Sequence, residues 1–510
     1  MENEKKGFLA GVDKFFGVSA RGSKIKTEIV AGIVTFLAMC YILTVNPNQF
    51  FYAGTANPAW TSVFIATAFG AIVGTLLMAF LAKLPLAQAS GMGLNSMVGS
   101  IIGGGLGFYA YGFSFSLANA MFMVLVSGIL FLLLSVISIK GSSLRLTIFK
   151  GIPAAIRTAI PVGIGLFIAY IGFQNAGIIL TNQYTQVGFV DFTNWGEQMI
   201  QWSGTVGFAA KTASVALIGV ILIAVLDKLN VKGSLIIGIL GATIVGIPFG
   251  VTNLEILKGN ANGITWKFWE NFADYFTGEN STFLIAFKDG WNFPEGSIFT
   301  VIMITISFCM IDMFDTMGTC LGCCSAAGLL DENGTPINYD QIMYSDSIAT
   351  CTGALLGTST VTTFVESGAG VAAGGKTGLT ALTTAVMFFL AIFLLPVFAT
   401  IPSAASASAL IYVGALMMKG VKNLDFSDAR AVIPAFLAIV VMPLGYSITK
   451  GIGIAILSYV IIAVLSYVGE WIKYACTKSE EKTKPVWDIS VVTIIIFVLF
   501  AVYFFVPTVL

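Results

Sequence analysis

Histidine is missing from all 510 residues, and charged side chains supply only 10% of them. With no imidazole to titrate near neutral pH, any proton moved through the interior has to be carried by carboxylates in unusual surroundings. So low a charged fraction excludes an ordinary soluble surface, which is roughly 25–35% Lys, Arg, Glu and Asp. Neither sign is in excess: Lys plus Arg and Asp plus Glu both number 26. Nothing therefore draws the chain to nucleic acid or to an acidic partner. Paired cysteines are lacking as well. The seven Cys are scattered except for Cys320, Cys323 and Cys324, and that cluster has no second pair and no His to close a tetrahedral metal site. No metal or cofactor is expected, and the thiols read as small, polarizable packing groups.

What is present is apolar. Hydrophobic residues make up 57% of the chain and the mean hydropathy is +0.90, values of a polytopic membrane protein. The N-terminus stays polar to about Glu28, too far for a cleavable signal. It reads as a cytoplasmic tail in which Phe15 and Phe16, with Lys14, Arg21, Lys24 and Lys26, form a short helix on the membrane surface.

Apolar runs approaching the roughly 20 residues needed to cross a hydrocarbon core occur at about 29–45, 61–82, 116–137, 160–174, 213–226 and 235–249. A second set follows at about 298–319, 342–356, 379–401, 404–418, 431–448 and 452–467. Each set has an odd member, at 85–105 and 360–375, rich in glycine and carrying polar side chains. Such stretches suit broken helices lining a cavity rather than lipid-facing spans. The longest connection, 250–296, mixes Trp266, Trp269, Tyr275 and Trp291 with charges and reads as an external amphipathic segment. Basic residues favour the connections that are interior when the N-terminus is interior. A last apolar run, 489–506, is either an additional span or a helix lying on the membrane.

An odd number of spans per half makes the halves inverted copies, and the sequence carries traces of the repeat. Ser90-Gly91-Met92-Gly93 pairs with Ser367-Gly368-Ala369-Gly370, and Ile152-Pro153-Ala154 with Ile401-Pro402-Ser403. Matched interruptions of this kind point to a transporter binding site. The runs Gly103-Gly104-Gly105 and Gly374-Gly375 read as close-packing surfaces.

Three acids stand out. Asp312 and Asp315, three residues apart, share a helix face with no Lys or Arg on the same span, and Glu366 lies in the second interrupted stretch. A carboxylate at membrane depth costs about 2.5–3.5 kcal/mol or more, so these acids require water, a cation, a ligand or a proton. The structural alternative is that they cap broken helices by accepting backbone N–H groups. As a binding set they suit a neutral planar molecule bearing N–H donors, with Asn95 able to donate and accept. Nucleobases have that pattern, and a small amide or a cation fits equally. A channel needs a continuous polar stripe, and an enzyme a nucleophile with its base or a metal; neither is evident.

The stretches Ser90-Gly91-Met92-Gly93-Leu94-Asn95, Asp312-Met313-Phe314-Asp315-Thr316-Met317-Gly318-Thr319 and Thr358-Ser359-Thr360-Val361-Thr362-Thr363-Phe364-Val365-Glu366-Ser367 resemble the signatures of the nucleobase–cation symporter-2 superfamily, in its adenine/guanine/hypoxanthine permease (AzgA-like) branch. The likeness covers about residues 27–467. It implies an all-α polytopic membrane protein with the 7+7 inverted-repeat (UraA-like) transporter fold, about 14 transmembrane helices, and broken third and tenth spans with short extended segments. The divisions would be a cytoplasmic tail 1–27, a first repeat 28–250, an external connection 251–297, a second repeat 298–470 and a C-terminal segment 471–510. Spans one to four and eight to eleven would form a core domain, sliding as an elevator against a gate domain of the remaining spans. The resemblance further implies proton-coupled purine uptake across the inner (cytoplasmic) membrane, and homodimerisation through the gate domain.

Carried over by position, Asp312 and Glu366 would bind the purine N–H edge, with Asn95 contributing from the third span. Proton coupling would fall to Asp312, Asp315 and Glu366. Backbone N–H groups around Gly91 and Gly368 would complete the site, and Phe364 or Phe314 is the candidate to stack on the base. The chain departs from the family pattern at Ser90, Ser96 and Gly368. The rival expectation is an anion transporter of the related sulfate-permease fold, which would place a basic residue at the site.

Overall fold

In an apolar medium, runs of Ile, Val, Leu, Phe and Ala can satisfy their backbone polar groups internally by forming helices. The computed structural model of the chain is accordingly mostly helical. It describes residues 8–51, 54–102, 113–139, 142–143, 151–182, 184–199, 206–259, 264–332, 335–476 and 484–505. The Gly103-Gly104-Gly105 run and the basic residues Lys140, Arg145 and Lys150 lie outside the described residues.

The first half contains α1 (Phe8–Phe16), α2 (Ile25–Met39), α3 (Ile42–Phe50), α4 (Trp60–Leu77), strand β1 (Gln88–Ser90), α5 (Met92–Ile102), α6 (Leu117–Val136), α7 (Ala154–Asn175), α8 (Ala209–Lys228) and α9 (Ser234–Gly246). The connection carries α10 (Phe268–Thr277) and α11 (Ile285–Asp289). The second half contains α12 (Ile298–Ala327), α13 (Tyr339–Leu356), strand β2 (Val361–Thr363), α14 (Ser367–Ala372), α15 (Gly378–Ile392), α16 (Leu395–Ala399), α17 (Ser403–Met417), α18 (Ala429–Leu444) and α19 (Ile448–Cys476), followed by α20 (Val491–Phe505). Among the described residues eight helical segments are long and apolar enough to cross a membrane. The halves follow one order, with a strand and a short helix in third place. The Pro153 and Pro402 of the repeated Ile-Pro motif occupy the N-cap positions of α7 and α17.

Several boundaries differ from the sequence reading for identifiable reasons. The first span begins at Ile25 because Glu28 is not part of a solvated tail. Its buried carboxylate accepts from the N–H groups of Lys376 (3.0 Å) and Thr377 (3.1 Å) and from Thr380 Oγ1 (2.6 Å), at the start of α15. Nor is the run at 29–45 one unbroken helix: the chain breaks at Cys40–Tyr41 and restarts as α3, which carries Pro47 within it and ends at Phe50. Arg21 is anchored too, donating to the carbonyls of Lys83 (2.7 Å) and Lys376 (2.9 Å). In the connection between the halves Trp266, Trp269 and Trp291 are exposed, whereas Tyr275 is buried and donates to Leu356 O (2.8 Å) at the end of α13. The polar connection after α7 holds an unforeseen hairpin, Ile179–Asn182 against Gln186–Phe189. The last apolar run, α20, lies along α19: Trp487 meets Tyr467 at one end, and Phe500 and Phe504 pack on Gly453 at the other.

Packing sorts the helices into two groups. In one, α2, α4, α6, α13 and α15 pack on one another and enclose β1, β2, α5 and α14. In the other, α7 packs against α17 and α18, α8 against α9 and α17, and α18 against α19. Glycine permits the closest approach in the second group. At Gly165 a Cβ would sit 2.5 Å from Met417 Cβ, and at Gly172 one would sit 3.0 Å from Leu410 Cβ.

Candidate functional site

The two interrupted stretches meet at the centre of the first group. Strands β1 and β2 pair antiparallel, Gln88 opposite Thr363, Ala89 opposite Thr362 and Ser90 opposite Val361, as inverted halves require. A two-stranded ribbon satisfies its inner backbone groups where neither segment is helical. The serines of the repeated Ser-Gly-x-Gly motif stitch the halves together reciprocally. Ser90 Oγ bonds Thr358 Oγ1 (2.7 Å) ahead of β2, and Ser367 Oγ accepts from Ala87 N–H (3.0 Å) ahead of β1. Gly91 has to lack a side chain, since a Cβ there would sit 2.6 Å from Thr362 Cγ2.

Behind the ribbon is a buried polar layer. Asp346 Oδ1 accepts from Gln88 Nε2 (3.0 Å) and Thr316 Oγ1 (2.7 Å), and Thr316 also meets Thr362 Oγ1 (2.6 Å). Asn46 Nδ2 reaches Thr67 Oγ1 and Thr358 Oγ1, each at 2.8 Å. These bonds tie α3, α4, α12 and α13 to the two strands, which fixes the half-helices that start from them.

In front of the ribbon lies a cavity of about 390 Å³, within the usual range for small-ligand sites. One wall is polar: Gly91, Met92 and Gly93 open α5, Asp315, Gly318 and Thr319 come from α12, and Thr363 to Glu366 form the turn between β2 and α14. The opposite wall is apolar, made by Pro161, Ile164 and Ile168 of α7 with Val413 and Met417 of α17. The cavity thus sits between the two packing groups, with its polar chemistry on one side only. No Lys or Arg is among its described lining residues.

Of the residues singled out in the sequence, Asp315, Glu366, Gly91 and Phe364 line this cavity. Asp312 does not; it is buried with Oδ2 accepting from Thr350 Oγ1 of α13 (2.8 Å). Two residues three apart on a helix diverge by about 60°, enough to turn one acid into the cavity and the other into the packing behind it. Asn95 lies one turn inside α5, fully buried, with Nδ2 donating to Ser90 O (3.2 Å). Its Oδ1 has no partner among the described residues.

The glycine N–H groups differ from the expectation. Gly91 N–H is taken by Thr360 O (3.0 Å) and Gly368 N–H by Val365 O (2.9 Å), and Gly368 faces Cys323 instead of the cavity. The reason is local: α14 opens with tight turns that use its first N–H groups. In α5 the ladder starts with Asn95 N–H on Gly91 O (2.8 Å), so the N–H groups of Met92 and Gly93 precede it at the cavity wall. The thiols pack behind the same turn, Cys320 Sγ 3.7 Å from Thr363 Oγ1 and Cys323 Sγ 3.8 Å from Val365 O.

Two residues of this centre escaped the sequence reading. Asp346 is an acid in an apolar span and was visible by the criterion that found Asp312. Tyr41, whose hydroxyl donates to Glu366 Oε1 at 2.6 Å, gives no such signal, because a tyrosine in a span reads as ordinary packing.

A family model described as "Permease family" matches residues 26–454. The guanine/hypoxanthine permease PbuO of Bacillus subtilis is 36% identical over 459 residues, covering 89% of this chain and 95% of its own. The adenine permease AdeQ of Escherichia coli is 31% identical over 476 residues, covering 92% and 95%. Among solved structures, the transmembrane domain of a cyanobacterium bicarbonate transporter, BicA, superposes with a TM-score of 0.53 at 13% identity, covering 84% of this chain and 96% of that one. At that identity the likeness shows the fold alone.

Proposed function

The chain belongs to the permease family, in its nucleobase–cation symporter-2 group, and on that premise we propose that it takes up purine nucleobases, guanine, hypoxanthine or adenine, together with protons. It is a multi-pass membrane transporter and not an enzyme. The observation that carries the substrate reading is the pair of carboxylates, Asp315 and Glu366, facing one cavity of about 390 Å³ with an apolar wall opposite. Carboxylates accept from the N–H groups of a neutral base, an apolar wall accommodates its faces, and Phe364 stands where a ring can stack. Asp312 and Asn95 support the site from behind, Asp312 through Thr350 and Asn95 through Ser90.

The coupling reading rests on the same acids. Without histidine, and with no basic side chain among the described residues of the cavity wall, a proton is the simplest counter-charge for a buried carboxylate. For the motion, the favoured mechanism is an elevator: the group bearing β1, β2, α5, α12 and α14 slides along the wall formed by α7 and α17. That wall carries apolar side chains, so displacement breaks few polar contacts. Residence in the cytoplasmic membrane, an interior N-terminus and pairing of two copies through the second group belong to the same proposal. An anion carrier of the sulfate-permease fold would instead present a basic side chain to its cargo.

The test is uptake of radiolabelled guanine, hypoxanthine, adenine, xanthine and uracil into a purine-transport-deficient bacterium, with and without a protonophore. Uptake of at least one of the first three bases, abolished by the protonophore, is expected. Membrane-resident protein that takes up none of them would overturn the substrate reading, and protonophore-indifferent uptake would overturn the coupling.

A further inference from the structure

Tyr41 lies where the first span breaks, between α2 and α3, and its side chain is 1% exposed. Its hydroxyl donates to Glu366 Oε1 at 2.6 Å and lies 3.4 Å from Met92 Sδ. Glu366 precedes α14 and Met92 opens α5, and both line the cavity. A single oxygen from a third element therefore touches the entrance of both half-helices.

We propose that Tyr41 is a positioning residue for Glu366: its hydroxyl holds one carboxyl oxygen, leaves the other to face the cavity, and governs how readily the acid exchanges its proton. The inference rests on the reading of Glu366 as the acid that meets substrate and proton. A phenol has one hydrogen, and here it is committed to Oε1, so Met92 is a packing neighbour and not a competing acceptor. A bond of 2.6 Å to a carboxylate is of the charge-assisted kind, stronger than the same bond to a neutral carboxyl. Among the described residues, the other titratable groups that interact with Glu366 are Asp315 and Cys323, both from α12. Asp312 stands behind Asp315, and Cys40 adjoins Tyr41. None of these supplies a positive charge. The tyrosine hydroxyl is the one neighbour among them seen donating to the glutamate, so its removal is felt there directly.

Tyr41→Phe removes that oxygen and leaves the ring packing in place. Dicyclohexylcarbodiimide attacks protonated carboxyl groups in apolar surroundings, so the pH at which labelling of Glu366 is half-maximal, read by mass spectrometry on the purified full-length protein, reports the exchange without any substrate. The expected result is a midpoint about one pH unit higher in Tyr41→Phe than in the parent protein. In cells, the KM for guanine is expected to rise roughly tenfold. An unchanged labelling midpoint overturns the proposal, even if maximal uptake falls. A shifted midpoint in a protein that carries no purine upholds the role of Tyr41 and removes the purine reading alone.

Discussion

Glu366 and Asp315 reach the cavity from different elements of the second half, one from the turn before α14 and one from α12. Neutralising either leaves the shape of the wall intact and removes an acceptor that a base would need. Glu366→Gln and Asp315→Asn are each expected to reduce guanine uptake by about tenfold or more with normal amounts of protein in the membrane. Asp312→Asn separates the two acids of α12. Because Asp312 meets Thr350 and not the cavity, its replacement is expected to lower the melting temperature while changing guanine affinity less than about threefold. Calorimetric binding and a thermal shift assay on the three variants distinguish these outcomes. Equal loss of affinity at Asp312 and Asp315 would place both acids at the ligand. The acids were legible in the sequence because a charge in an apolar span announces itself. Which of the two aspartates faces the cavity was not, since their offset of about 60° acquires meaning only when α13 is in position. The partnership of Tyr41 with Glu366 spans 325 residues of sequence, and no local pattern records it.

At the scale of elements, the half-helices depend on glycines whose surroundings differ. A Cβ at Gly370 would run into Ala31 O at 2.8 Å and the side chain of Thr35, so Gly370→Ala forces α14 away from α2. Such overpacking typically costs about 1–3 kcal/mol, and a matching loss of thermal stability is expected. A Cβ at Gly318, on the cavity wall, meets nothing within 4 Å. Gly318→Ala should therefore leave stability unchanged and act only on substrate affinity. A large stability loss there would mean that α12 packs differently. The repeated Ser-Gly-x-Gly pair marked both interruptions correctly, because hydroxyls and glycines are poor material for a lipid-facing helix. The closed first turn of α14 and the hairpin after α7 were hidden, since each follows from how the backbone finds partners once its neighbours are fixed.

For the whole molecule, the decisive feature is a cavity whose polar wall belongs to one packing group and whose apolar wall belongs to the other. Gly93 of α5 and Ile164 of α7 face each other across that boundary, with 3.9 Å between the ideal Cβ of Gly93 and Cβ of Ile164. This spacing suits a disulfide. Gly93→Cys combined with Ile164→Cys is expected to transport when reduced and to stop when oxidised, if the groups slide past one another. Transport at full rate with the bond formed, verified by mass spectrometry, would mean that they do not. The order of spans and their division into halves were legible from hydropathy and the repeated motifs. The facing of the two walls was not, because it joins residues from opposite halves of the chain.

The most direct measurement is guanine accumulation by the purified protein in liposomes across an imposed pH gradient, acidic outside. Accumulation above the external concentration, collapsing on addition of a protonophore and absent in Glu366→Gln, is the expected result. Guanine that merely equilibrates at the same rate with and without the gradient would contradict proton coupling, and failure of guanine, hypoxanthine and adenine to enter at all would contradict purine transport itself.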